Sequence, residues 1–327
     1  MKVLVLNKVD VQKLLSMPKC IELMEQALAS LARGEVTLPL RPVIRIPKSP
    51  NAFAVMPAHS QSLSAIGAKL ISVFPGNHGT SVDSHQGVVV LFDGQNGSPL
   101  ALMDAASITA IRTAAVSGVA TRSLARRDAR TLAILGSGVQ ARTHLDAMLA
   151  VRSFDRVLVW SRTREHASAF VEGTQRSHRP RIEVVDDAAS AVKRADVVCT
   201  VTAAREPVLQ GAWLAPGAHV NAVGASLPTT RELDSEAVRR ARVFVDRRES
   251  ALNEAGDLLI PMQEGAISAN HIQAELGEVS IGRGEGRRNE EEITLFKSLG
   301  LAIEDLACAH YLHERARVEG TGAWVDL

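Results

Sequence analysis

Cysteine is scarce: Cys20, Cys199 and Cys308 are the only three in 327 residues, and they lie far apart. They make neither a CxxC pair nor a disulfide framework. They read as small core residues of a chain suited to a reducing, cytoplasmic setting. An excess of either charge is missing too, with 37 Lys and Arg against 36 Asp and Glu, a formal +1. That balance leaves no electrostatic footprint for nucleic acid or an anionic membrane. The partner expected is a small molecule or a second copy of the chain. No apolar run approaches the roughly 18 residues a membrane-spanning helix needs. The opening MKVLVLNKVD is too short an apolar run for a secretory leader, and Asp10 interrupts it. Fixed-period repeats and low-complexity tracts are absent as well.

What is present is ordinary globular composition, 46% hydrophobic and 22% charged, in a chain longer than one core usually supports. Two domains follow as the natural expectation. The first part reads as a strand over Met1–Leu6 and two short helices over Val9–Ala32 around Pro18, stopped at Gly34. Five prolines in 38–58 predict short strands and turns. Strands follow over Ala65–Phe74 and Gly87–Phe92, a turn over Asp93–Gly97 and a connecting helix over Ile108–Leu124.

From residue 131 the pattern changes. The apolar runs TLAILG (131–136), RVLVWS (156–161), IEVVD (182–186), ADVVCTVT (195–202), HVNAVG (219–224) and ARVFVD (241–246) succeed one another. Helices are predicted over Val139–Leu149, from Arg164 and over 187–194. Apolar runs alternating with helices imply a parallel sheet covered on both faces. Ser280–Asn289, rich in Gly and Arg, reads as a loop, and Glu290–Val318 as one long amphipathic helix returning to the first domain. The division expected is 1–122 with 298–327, and 123–297.

GSGVQA (136–141) places Gly136, Gly138 and Ala141 in G-x-G-x-x-G/A spacing after a predicted strand and at the start of a helix. Gly136 would make the tight turn and Gly138 admit a pyrophosphate to the backbone. Ala141 would let helix and strand pack closely. The helix N-terminus then offers unpaired N–H groups to the phosphates, with Ser137, Val139 and Gln140 in the same turn. At the end of the next strand an NAD site usually carries Asp or Glu; this chain has Ser161, Arg162 and Thr163. Arg162 would pair with a 2′-phosphate and the two hydroxyls could donate to it. NADP(H) is therefore the expected cofactor, with NAD(H) the alternative.

Over nearly its full length the chain resembles the ornithine cyclodeaminase/mu-crystallin family. The segments that carry the resemblance are MPAH (56–59), GAKLISVFPGN (67–77), SHQGVVVLFD (84–93), ALMDAASITAIRTAA (101–115), ILGSGVQA (134–141), PGAHVNAVGAS (216–226), REL (231–233), EAGDLL (254–259) and FKSLG (296–300). The resemblance implies an α/β fold: a Rossmann-type dinucleotide-binding domain plus a discontinuous α+β substrate and dimerisation domain built from both chain ends. It implies a homodimer. It also adds Thr113, Thr202, Val223 and Ser298 to the cofactor side.

The family contains lyases, amino-acid dehydrogenases and cyclic ketimine reductases. Lys69 and Arg112 stand where it holds the substrate carboxylate, and Arg41, in PLRPVIRIP, where the mu-crystallin branch has an arginine. Arg45 could serve in place of Arg41. His85 stands where a family histidine approaches the substrate. Cyclodeaminases have an Asp at the position of Ser226; the ketimine-reductase branch has serine, as here. A serine supplies no carboxylate base at neutral pH. The activity implied is reduction of a cyclic imino acid, with Lys69, Arg112 and Ser226 as the catalytic set. The rival readings are a cyclodeaminase, an open-chain amino-acid dehydrogenase and a non-enzymatic small-molecule binder. His310 and His313 are expected at the surface, and two histidines alone do not make a metal site.

Overall fold

The computed structural model describes residues 2–77, 80–174 and 180–326, so Met1 of the first predicted strand lies outside the described residues. The chain divides into two compact units, Met1–Arg112 with Gly300–Leu327, and Thr113–Leu299. The first cut falls inside a continuous helix, ten residues before the position expected from sequence. Periodicity cannot mark such a cut, because the helix is buried on both sides of it.

The first unit begins with β1 (Lys2–Leu6), α1 (Lys8–Leu14) and α2 (Met17–Ala32). Asn7 and Asp10 form a capping box that starts α1, and Pro18 sits in the first turn of α2, where its missing N–H costs nothing. Next come β2 (Val36–Thr37), β3 (Val43–Arg45), β4 (Ala52–Ser60), β5 (Ala65–Val73), β6 (His85–Asp93), β7 (Pro99–Asp104) and α3 (Ala105–Leu124). The last two elements of the chain, described below, complete this unit.

The second unit holds β8 (Thr131–Leu135), α4 (Val139–Val151), β9 (Arg156–Trp160), α5 (Arg164–Thr174), β10 (Arg181–Val184), α6 (Ala188–Val192), β11 (Val197–Thr200) and β12 (His219–Ala222). It continues with α7 (Ser235–Arg240), β13 (Arg242–Val245), α8 (Arg248–Glu254), α9 (Gly256–Gln263), β14 (Ile272–Glu275), α10 (Leu276–Ser280) and β15 (Thr294–Lys297). α11 (Ala302–Glu319) and β16 (Ala323–Asp326) then return to the first unit.

In the first unit the sheet order is β16-β1-β7-β6-β5-β4-β2, with β3 paired to β4. The strands are antiparallel neighbours except β1 and β7, which are parallel. α11 lies against β4 to β7 and against α2. Alternation along β4 and β5 buries Ala54, Met56, Ala58, Gly67, Lys69 and Ile71. The same alternation turns Phe53, Val55, Ile66 and Leu70 the other way. Cys20 of α2 and Cys308 of α11 meet in this core with their sulfurs 3.8 Å apart, though 288 residues separate them. All three cysteines are fully buried.

In the second unit eight strands run parallel in the order β10-β9-β8-β11-β12-β15-β13-β14. VVCT of β11, HVNA of β12 and TLFK of β15 are buried at every position, as a sheet covered on both faces requires. Each fully buried Val, Leu or Phe in these runs contributes about 1.5–3 kcal/mol.

The helix expected over Glu290–Val318 is corrected by β15. Residues Thr294–Lys297 form a strand between β12 and β13, and the helix starts only at Ala302. A four-residue segment such as TLFK, next to a helical pattern, is too short to show a period of its own, so tertiary pairing decided it. The surface placement expected for His313 is also corrected. It is buried at 5% exposure on α11, with Nδ1 3.1 Å from a Glu314 carboxylate oxygen, while His310 is half-buried.

Candidate active site

Lys69 occupies an inward position of β5 and is 2% exposed. A buried ammonium is costly unless it is paired. Its partner is Asp305, whose Oδ2 lies 2.9 Å away in an ion pair not aligned as a hydrogen bond. Lys69 Nζ also donates to Thr109 Oγ1 at 3.3 Å. Arg112, on α3 and 4% exposed, donates from Nη1 to Glu304 Oε2 at 2.7 Å and from Nε to Asp305 Oδ1 at 3.2 Å. Asp305 therefore bridges both cations.

Two cations and two carboxylates balance to zero in this buried cluster. Burial first, and the Arg112 charge second, push Lys69 down to about 8, while Asp305 and Glu304 pull it back up. Burial would lower Arg112 as well, but Asp305 and Glu304 outweigh it, and the guanidinium is held charged. Lys69 is thus poised to release a proton near neutrality, and Arg112 is a permanent cation.

His85 opens β6 on the side shared by Val89, which pairs with Lys69. Its Nδ1 lies 3.1 Å from Ser84 Oγ. Partial desolvation, then the Lys69 charge, hold its pKa below the ordinary value, although the residue is exposed. The structure thus brings Lys69, Arg112 and His85 to one side of the first unit's sheet. Of the two arginines in the proline-rich stretch, Arg45 is exposed on β3 and Arg41 is half-buried in the segment before it.

In the second unit Gly136 directly follows β8 with φ +130°, a backbone state nearly closed to other residues. A Cβ there would stand 2.7 Å from the Val201 carbonyl oxygen. Gly138 is the N-cap of α4 and supplies no side-chain cap, so the first amides of this helix have no such partner. A Cβ at Gly138 would meet nothing within 4 Å, so the space over the turn is open. Val139 is 66% exposed beside it, and Gln140 Oε1 is buried without a hydrogen-bond partner among the described residues. An uncapped helix start behind an open glycine turn fits a dinucleotide pyrophosphate.

Ser137 donates to Ser161 Oγ at 3.1 Å, tying the turn to the end of β9. Arg162 is exposed there and Thr163 half-buried, while the neighbouring Arg164 is engaged by Asp186. Thr202 and Val223 follow β11 and β12, and Ser298 follows β15 and donates its amide to Ala222 O at 3.0 Å. Thr113 is buried next to Arg112 on α3. Ser226 is exposed in the segment after β12.

Residues that sequence reasoning missed are Glu304 and Asp305, and the buried set Glu232, Asp257 and Lys297. The available signal was charge beside apolar residues: two acids in LAIEDLACAH, Asp257 before Leu258 and Leu259 in EAGDLL, and Lys297 after Phe296 in FKSLG; Glu232, flanked by Arg231 in REL, carried no such mark.

Comparison with known proteins bears on these features together. The description "Ornithine cyclodeaminase/mu-crystallin family" matches residues 1–320. The Delta(1)-pyrroline-2-carboxylate reductase of Bacillus cereus is 40% identical over 325 residues, covering 99% of this chain and 100% of the relative. The ketimine reductase mu-crystallin of Mus musculus is 45% identical over 294 residues, 89% of this chain and 90% of the relative. Among solved structures, Thermococcus litoralis Delta(1)-pyrroline-2-carboxylate reductase in complex with NADH and L-proline is 42% identical. It covers 98% of this chain and 99% of its own, with a TM-score of 0.96. The chain belongs to the ornithine cyclodeaminase/mu-crystallin family, with its Rossmann-type fold and second domain.

Proposed function

We propose that this chain is a nicotinamide-dependent imine reductase. It acts on cyclic ketimine carboxylates of the Δ1-pyrroline-2-carboxylate or Δ1-piperideine-2-carboxylate type, giving proline or pipecolate. The observation that carries the proposal is the buried pair of Lys69 and Arg112, balanced by Asp305 and Glu304. It occurs in a chain whose relatives at about 40% identity are named reductases of that imine. When bound, the reduced dinucleotide supplies the hydride that the imine carbon accepts.

Arg112 and Lys69 hold the substrate carboxylate, Arg112 as a fixed cation and Lys69 as a titratable one. Arg41 is the third candidate for this clamp, ahead of the exposed Arg45. Clamping orients the ring and removes rotational freedom before hydride arrives. Protonation makes the imine carbon electrophilic, and Lys69, poised near 8, is the candidate donor at the imine nitrogen, directly or through water. His85 borders the same side as a hydrogen-bonding group. Ser226 offers a neutral hydroxyl where a cyclodeaminase needs a carboxylate.

Gly136, Gly138 and the start of α4 hold the pyrophosphate, with Ser137, Val139 and Gln140 around it. Thr113, Thr202, Val223 and Ser298 belong to the same cofactor site. Ser161, Arg162 and Thr163 select the 2′-phosphate, so NADPH is preferred and NADH is accepted less well. The outward side of β4, β5 and β6 carries exposed Phe53, Ile66 and Val88 beside Val55, Leu70 and Val90. An apolar sheet face of this kind supports a homodimer joined through the first unit.

The decisive experiment follows NADPH oxidation against a panel of cyclic imino acids and of open-chain keto acids with ammonia. Turnover of the five- or six-membered imines, well above that of the keto acids, is expected. Turnover of the keto acids alone would assign the chain to open-chain dehydrogenation.

A further inference from the structure

REL, EAGDLL and FKSLG each contribute one charged residue to a single buried network in the second unit. Glu232, Asp257 and Lys297 are all 0% exposed. Glu232 Oε1 accepts from Thr202 N at 2.6 Å and Thr202 Oγ1 at 2.7 Å. Its Oε2 accepts from Gly224 N at 2.6 Å and Thr200 Oγ1 at 2.8 Å. One carboxylate thus ties the carboxyl end of β11 to that of β12. The approach is so close that a Cβ on Gly224 would stand 2.0 Å from the Thr202 carbonyl oxygen.

Asp257 Oδ1 in turn accepts from the amides of Glu232 and Leu233 at 2.7 and 3.1 Å. Its Oδ2 forms an ion pair with Lys297 Nζ at 3.1 Å, and Lys297 donates to Ala222 O at 3.1 Å. Counted as charges, Glu232 and Asp257 give −2 and Lys297 gives +1. With all three groups ionised the network holds −1 in the interior. Burial and the Asp257 charge raise the Glu232 pKa. Two backbone amides, one on each oxygen, and two hydroxyls favour its charged form.

Sheet order places this charge relative to the cofactor. The glycine turn follows β8, the Arg162 end lies toward β9, and β11 and β12 lie on the opposite side of β8. Ligands of open α/β sheets bind outside the carboxyl ends of the strands. With the phosphates at β8 and the adenosine toward β9, the nicotinamide half belongs to the ends of β11 and β12. Loss of hydride turns that ring from neutral to cationic.

We infer that Glu232, backed by Asp257 and Lys297, is a positioning and charge-balancing residue of the nicotinamide end. It holds Thr202 and the Gly224 turn in place, and its uncompensated charge favours the oxidised, cationic dinucleotide over the reduced one. The inference rests on the dinucleotide part of the proposed function and not on the substrate.

The test measures dissociation constants of NADP⁺ and NADPH by calorimetry, without substrate, for the unmodified protein, Glu232→Gln and Asp257→Asn. Each variant takes the network from −1 to neutral by a different route, so one suffices if the other fails to fold. In each folded variant the affinity for NADP⁺ should fall by about three- to tenfold relative to that for NADPH, since a charge next to a cation in a poorly screened site acts over ångströms. Glu232→Asp keeps the charge and should keep the ratio while weakening both affinities. An unchanged ratio in a folded neutral variant overturns the inference. Failure of the unmodified protein to bind either dinucleotide overturns it together with the cofactor reading. Binding without imine turnover overturns only the substrate reading.

Discussion

Asp305→Asn isolates what the buried cation cluster does. In the unmodified protein Asp305 bridges Lys69 at 2.9 Å and Arg112 at 3.2 Å, so the substitution removes one of the two carboxylates described beside these cations and leaves Glu304. At an effective dielectric of about 20 the Lys69 contact is worth up to about 6 kcal/mol, and breaking one side of a buried pair costs roughly 3–5 kcal/mol. Arg112 does not give up its proton, so Lys69 is the group that responds. Since 1.4 kcal/mol is about one pKa unit, even a third of that loss moves Lys69 about one unit below its value near 8.

The sign follows from which form works. In the proposed mechanism protonated Lys69 clamps the carboxylate and donates the proton, so activity is expected below its pKa and should be lost as pH rises through it. The profile of kcat/KM against pH should bend down near 8 in the unmodified protein, and at least about one unit lower in Asp305→Asn. The limb in kcat should lie higher, because bound substrate carboxylate stabilises the ammonium. Titration of the substrate iminium is common to both proteins and cancels in the comparison. Superimposable profiles from a folded Asp305→Asn variant would refute the assignment of Lys69 as the titrating group.

Replacing Arg162 with Ala should cost about ten- to a hundredfold in NADPH affinity, a charge-assisted contact of roughly 1.5–3 kcal/mol, and leave NADH nearly unaffected. Equal losses for both dinucleotides would remove Arg162 from the 2′-phosphate. Light scattering at micromolar concentration should report a dimer, and Val88→Glu, on the outward face of β6, should shift it toward monomer; an unmodified monomer would end that proposal. Ornithine with NAD⁺ or NADP⁺ should release no ammonia above background, and Ser226→Asp should weaken imine reduction by placing an anion near the substrate carboxylate. Proline formation from ornithine would restore the lyase reading.

The glycine turn after β8 was legible in the sequence because its conformational requirements are local. Gly136 needs a positive φ, Gly138 needs an open Cα, and both requirements are met within six consecutive residues after an apolar run. The runs that became β8, β9 and β11 were likewise readable, since a strand buried on both faces is a nearly continuous apolar run, and β12 was readable despite its buried His219 and Asn221. Lys69 and Arg112 entered through the resemblance, and an apolar neighbourhood is all the sequence itself says of Lys69.

Tertiary structure alone decided the rest. TLFK became a central strand because β12 and β13 leave a gap with free hydrogen-bonding groups, a condition set by residues 50 to 75 positions away. Asp305 reaches Lys69 across 236 positions and Glu304 reaches Arg112 across 192, so no local pattern pairs these charges. The sequence shows that this chain has unusual charges in apolar surroundings. Only the fold determines which opposite charge lies within about 3 Å of each. In a poorly screened interior, that distance decides whether a group keeps its proton.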